Sequence, residues 1–201
     1  MPTCAYHGDA ACPDVIPGSC LGPHRPVSPA GVRAVLISEC VPANPGDWYD
    51  ADDDPLFART TIQAFRDAGA EVSSIREIEA LGFRLTSAVR CAKAGPGLKA
   101  GTVERCSHVL EREIAPFTQV QVWLLMGDVA IRAVNGIARR NGEGRVIPAG
   151  STYKIRAGEY RFRGGRAFPS YLQAGPAFFV EKSKREMIAQ DIRAALEVVR
   201  G

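Results

Sequence analysis

Val122-Trp123-Leu124-Leu125-Met126-Gly127-Asp128 is the stretch that decides how this chain folds. Five apolar residues in a row, without polar alternation, read as a strand covered on both faces, the kind found in parallel sheets. Gly127 turns the chain, Asp128 can cap a helix, and Val129–Arg140 follows as that helix. The strand-then-helix pattern repeats outward. Phe83–Val89 reads as a strand that leads to Cys91, and Thr102–Ala115 follows with helical spacing at Val103, Cys106, Val109, Leu110 and Ile114. Farther upstream, Val32–Ile37 reads as a buried strand. A long loop, Ser38–Asp54, separates it from a helix over Pro55–Ala68, with Asp54 as cap, Pro55 at the first position and Gly69 at the end. Ala70–Ser74 reads as a short strand and Ile75–Ala80 as a short helix. Downstream, residues 145–168 carry strand-like stretches separated by glycines, and Lys182–Val199 reads as an amphipathic helix.

Strands alternating with helices predict an α/β fold. The expected form is a three-layer α/β/α sandwich around a central, mostly parallel four-stranded sheet, in one domain over residues 1–201. Ligands of such sheets sit at the C-terminal ends of the strands. The loops after Ile37, Val89 and Met126 should therefore share one functional rim.

The composition is that of an ordinary globular chain: 46% of the 201 residues are hydrophobic and 23% charged. No run approaches the roughly 20 apolar residues of a membrane span. The first residues, with Cys4, His7, Asp9 and Cys12-Pro13, lack the basic-then-apolar pattern of a secretory signal, which predicts a reducing intracellular setting. The net charge of +3 is unevenly spread. Residues 1–131 carry 11 basic and 16 acidic side chains, whereas residues 132–201 carry 14 and 6, so an anionic partner is expected on the C-terminal side.

Residues 1–31 are rich in Cys, Pro and Gly and lack periodicity, so something other than a hydrophobic face should hold them. The six cysteines are Cys4, Cys12, Cys20, Cys40, Cys91 and Cys106. A chain of this length needs no staples to fold, and reduced cysteines more often bind metal or do chemistry. Cys91 and Cys106, with two N-terminal cysteines, can close a four-thiolate site for Zn²⁺ or an iron–sulfur cluster; ligand type alone leaves both open. Cys40, at the end of an apolar strand, reads as a buried small hydrophobe.

Taken together, these motifs resemble the iron–sulfur uracil-DNA glycosylases through nearly the whole chain. Cys12-Pro13 matches that family's second N-terminal cysteine, and Cys4 its first, with Cys20 a contender. Ser38-Glu39 matches the acid of the first motif, and Pro55-Leu56-Phe57 the Pro-Phe that opens a helix. Leu85-Thr86-Ser87-Ala88-Val89-Arg90-Cys91 matches the third element, and Cys106 the helix cysteine after it. Leu125-Met126-Gly127 matches a strand end, Phe168-Pro169-Ser170-Tyr171-Leu172 the His-Pro-Ser loop, and Lys184-Arg185 the last helix. Three positions depart from the family. Ser38-Glu39-Cys40-Val41-Pro42 replaces Gly-Glu-Ala-Pro-Gly, Ser87 replaces the base-reading Asn, and Phe168 replaces the catalytic-loop His.

The resemblance implies a monofunctional hydrolase that removes uracil from DNA. Such enzymes extrude the base into a pocket, because its reacting bond is out of reach inside the duplex. Glu39 is then the expected catalytic carboxylate, with Asn44, in Asn44-Pro45-Gly46, as the substitute. Phe57, Ser87 and Phe168 are the expected base-binding residues. Ser170, Tyr171 and Leu172 are expected in the loop that probes the duplex, with Arg163, Arg166, Lys184 and Arg185 on phosphates. Cys4, Cys12, Cys91 and Cys106 would hold a [4Fe–4S] cluster that pins the N-terminus. The implied protein is an intracellular monomer of prokaryotic type, acting on the nucleoid. Its partner is uracil-containing DNA, single- or double-stranded, and it has no membrane partner.

Overall fold

The computed structural model describes Tyr6 and residues 12–21, 26–52 and 54–201. Its strands are Ala34–Cys40 (β1), Phe83–Val89 (β2), Val122–Met126 (β3), Tyr160–Phe162 (β4) and Gly165–Ser170 (β5). They form one sheet in the order β2-β1-β3-β5-β4. The first four in that order are parallel, and β4 pairs antiparallel with β5 at the edge. The fold is thus α/β around a mostly parallel sheet, with five strands rather than four. The extra strand comes from the glycine-punctuated stretch 145–168, where Arg163 and Gly164, both at positive φ, turn β4 back onto β5.

The helices are Leu56–Asp67 (α1), Ile75–Ala80 (α2), Ala100–Ile114 (α3), Asp128–Arg140 (α4), Thr152–Ile155 (α5), Ala177–Val180 (α6) and Lys182–Arg200 (α7). Side chains of a strand alternate between faces, so each central strand feeds two cores. Val35, Ile37, Trp123 and Leu125 pack with α3 and α4. Ala34, Leu36, Val122, Leu124 and Met126 pack with α1, α2 and α7 on the other face. This double burial is why VWLLM carries no polar alternation.

Two expectations are corrected. Ala70–Ser74 is a connection, not a strand: Gly69 turns at φ +90, the Ala70 N–H returns to Phe65 O, and the Ser74 hydroxyl caps α2. β1 also runs on to Cys40, so Ser38 and Glu39 belong to the strand end, not to a loop.

The irregular segment 12–21 is tied down along the β2–α3 connection. Ile16 N–H donates to Ala92 O, Leu21 N–H to Arg90 O, and Ala94 N–H to Asp14 O, while Val15 and Lys93 form an isolated bridge. The Asp14 carboxylate accepts from Lys99 N–H and the Thr102 hydroxyl at the start of α3, each at 2.5 Å. Among the described residues no helix is long and apolar enough to cross a membrane.

Candidate functional site

At the C-terminal ends of β1, β2 and β5 lies a largely apolar cleft of about 390 Å³. Glu39, Phe57 and Leu172 line it, from three different elements, together with Lys93 and Ala174. The size falls within the range of small-molecule sites, and the place is where parallel sheets bind ligands.

Glu39 stands at the end of β1, against the start of α4. Its Oε1 accepts a long hydrogen bond, 3.5 Å, from Val129 N–H, and its Oε2 has no partner among the described residues. A helix N-terminus favours a carboxylate there. Gly127 makes room for it. A Cβ at that position would lie 2.5 Å from Glu39 Oε1, and the backbone sits at φ +96. Beside it the Cys40 thiol is pushed up by burial, so it stays protonated in the cleft wall.

Phe57 is buried in the first turn of α1, with Trp48 and Tyr49 at ring distances of 6.0 and 5.9 Å. Behind this aromatic wall lies a buried polar knot. The Ser38 and Tyr49 hydroxyls are 2.8 Å apart, and Gln173 Nε2 reaches Ser38 at 3.0 Å and Tyr49 at 2.9 Å. Burial pushes the Tyr49 phenol up to about 12, against hydrogen bonds with Ser38, Thr61 and Gln173, so it is neutral at physiological pH. The knot fastens the loop after β5, which carries Leu172 and Ala174, to the end of β1.

Other expected residues lie elsewhere. Ser87 is fully buried inside β2 and donates to Val89 O at 3.1 Å, so it lines no pocket. Phe168 and Ser170 fall within β5, because the strand continues where a loop was expected. Phe168 packs in the core, with the Arg166 guanidinium 4.7 Å above its ring. Ser170 is fully buried and donates to Asp191 at 2.6 Å, out of reach of DNA. Asp191, whose carboxyl burial pushes up, also pairs with Arg156 at 2.6 Å. Asn44 is exposed and accepts from Gly46 N–H, capping the single 3-10 turn Pro45–Asp47. Arg163 and Arg166 sit at the opposite end of β5 from the cleft, and Arg163 pairs with Glu111 at 3.4 Å.

Tyr171 is half-buried beside Leu172, with the Lys184 ammonium 5.5 Å from its ring. Lys184 also pairs with Glu181 at 2.6 Å. Arg185 is committed to Asp67 through contacts of 2.5 and 2.9 Å, which hold that carboxyl below its ordinary range.

Five of the cysteines belong to, or pack against, one core of the sheet. Cys12 and Cys20 pack against the core that contains Cys91 and Cys106. Cys4 lies outside the described residues. Cys91, expected as a ligand thiolate, is joined to Cys20 by a disulfide, and among the described residues no three ligating side chains converge on one point. The donor chemistry still suits a thiolate-bound group. Arg105 donates to Cys12 Sγ at 3.5 Å and is raised in pKa chiefly by that bond, and the Cys106 sulfur also acts on Arg105 and on the buried Arg90. A bound metal or cluster requires the Cys20–Cys91 bond to be open.

The motifs that pointed to this site did not reveal Lys93 or Gln173, and they gave Gly127 only as a strand-end turn, not as the room for Glu39. Lys93 follows Cys91 by two residues, and only the path of the loop after β2 brings it to the cleft. No protein-family model matches the sequence, and no curated protein matches it.

Proposed function

We propose that the chain is a DNA glycosylase that hydrolyses the N-glycosidic bond of uracil, the product of cytosine deamination, and leaves an abasic site for base excision repair. The observation that carries this reading is the meeting of Glu39, Phe57 and Leu172 in one cleft at the strand ends. They are the acid, the stacking ring and the probing-loop residue that the resemblance called for.

The flipped base enters between Phe57 and the loop after β5, its ring against the aromatic face. Leu172 and its neighbour Tyr171 wedge the gap left in the strand. Glu39 Oε1 stays on the α4 N-terminus, which leaves Oε2 to orient a water toward the sugar carbon. As the C–N bond lengthens, the sugar gains oxocarbenium character and the carboxylate favours that charge. Lys184, beside Tyr171, is the cation proposed to meet a DNA phosphate. Cys12, Cys91 and Cys106, with Cys20 or Cys4, would hold the [4Fe–4S] cluster. The chemistry that group would supply is cross-linking, which would add to the ties between segment 12–21 and the β2–α3 connection.

A non-catalytic lesion-binding protein is the second reading. It is favoured by the contact between Glu39 Oε1 and Val129 N–H, which is what a purely capping carboxylate would make. Release of free uracil from a labelled single-stranded oligonucleotide separates the two. Protein purified without oxygen should release it, and Glu39→Ala should be slower by about 100-fold or more. Equal rates would take the catalytic role from Glu39. No release by the intact wild type would overturn the glycosylase.

A further inference from the structure

The cleft is lined by one acidic and one basic side chain, Glu39 and Lys93, in walls that are otherwise largely apolar. No ion pair joins them; Lys93 is half-buried as a residue, and its ammonium has no hydrogen-bond or ion-pair partner among the described residues. A basic side chain on the wall of such a cleft is placed to meet an anionic group of a ligand. Its backbone is not free to carry it away. Val15 bridges Lys93, Ala94 N–H donates to Asp14 O, and Ala92 N–H donates to the Ser19 hydroxyl at 3.0 Å. The N-terminal segment therefore holds Lys93 at the cleft, opposite in charge to Glu39. No histidine stands in the loop after β5 to meet an anion, and the thiol of Cys40 is neutral.

We infer that Lys93 is the cation that meets the negative charge on the departing base, a role that rests on the glycosylase reading. In the step, the bond between the sugar carbon and the ring nitrogen breaks and its electron pair stays on the base, spread over the ring carbonyl oxygens. The water oxygen bonds to the sugar carbon and its proton passes to Glu39, then to solvent. The base leaves as an anion hydrogen-bonded to the Lys93 ammonium and takes one proton from solvent on release. Atoms and charge balance as water plus nucleotide giving abasic sugar plus neutral base. Because the charge develops only as the bond breaks, the contact should act on kcat.

The test compares Lys93→Gln with wild type on single-stranded oligonucleotides carrying uracil or 5-fluorouracil. Fluorine withdraws electrons and makes the leaving anion less dependent on a cation. The variant should lose about 100-fold in kcat on uracil, with KM changed by less than about 3-fold. On 5-fluorouracil the loss should shrink to about 10-fold or less, and Lys93→Arg, which keeps the charge, should stay within about 10-fold of wild type on uracil. Equal losses on the two bases, or a loss carried by KM alone as for a phosphate contact, would overturn the assignment and leave the glycosylase standing. A wild type that releases neither base would bring down the glycosylase reading and this role together.

Discussion

Glu39 caps the start of α4 from the wall of the cleft, and Gly127 is what leaves room for it. Oε1 meets the α4 N-terminus and the residue lines the cleft, its carboxylate in space that a Cβ at position 127 would enter. Gly127→Ala adds that Cβ and also forces a side-chain-bearing residue to φ +96. A loss of about 1–3 kcal/mol follows, to be read from the shift in urea midpoint. Because the displaced carboxylate is the proposed water-orienting group, uracil release should fall as well. Unchanged stability with wild-type release would show that the carboxylate does not need that space. At this scale the motif positions of Glu39 and Phe57 lead to residues that line one cleft. Ser87 and Phe168 were placed in the pocket by motif position alone, and both are buried in strands.

The element that most changes the site is β5. Its pairing with β3 runs on to Ser170, opposite Met126, so the loop starts three residues later than the motif suggests. A strand buried on both faces shows no alternation to mark its end, and register comes from the neighbouring strand instead. The N-terminal segment is an element of a different kind, held by hydrogen bonds more than by apolar packing. Asp14 is its chief tie to α3. Burial would raise this carboxyl, but the Thr102 hydroxyl and the Lys99 N–H outweigh it and hold it below its ordinary 3.8. With the folded value depressed, the stabilisation is complete above about pH 3.8 and is lost as the pH falls through the lower folded value. Asp14→Ala should remove that acid-sensitive part and cost about 1–2 kcal/mol, as loss of a capping carboxylate does. Limited proteolysis should then cut the segment faster at neutral pH. A digestion rate equal to wild type would mean that the tie is not needed.

Across the whole molecule, the charge asymmetry read from the sequence is partly consumed inside the fold. Arg140 pairs with Glu104 and Glu111, Arg163 with Glu111, and Arg185 with Asp67, so basic residues of the C-terminal part neutralise acids of the N-terminal part. Few of the expected phosphate contacts are left free, and the proposed DNA affinity should depend on salt less steeply than the count of arginines suggests. The gathered cysteines make the other prediction at this scale. Protein purified without oxygen should be brown, with broad absorption near roughly 400 nm. Cys91→Ser or Cys106→Ser should abolish the iron content, measured per chain, and Cys40→Ala should leave it unchanged. Full iron in either serine variant would refute the ligand set, and the iron content of Cys20→Ser decides between Cys20 and Cys4 as the fourth ligand.

The alternation of buried strands and helices was legible in the chain itself, because side-chain periodicity is a local property written every two or 3.6 residues. The α/β class, the parallel sheet and the rim where Glu39 and Phe57 meet follow from it. Tertiary structure alone decided which loop residues reach that rim. Lys93 arrives because the chain near Asp14 and Ser19 clamps the β2–α3 connection, and Gln173 because three hydroxyls from distant segments converge on it. Such contacts join residues far apart in sequence, and no local pattern records them.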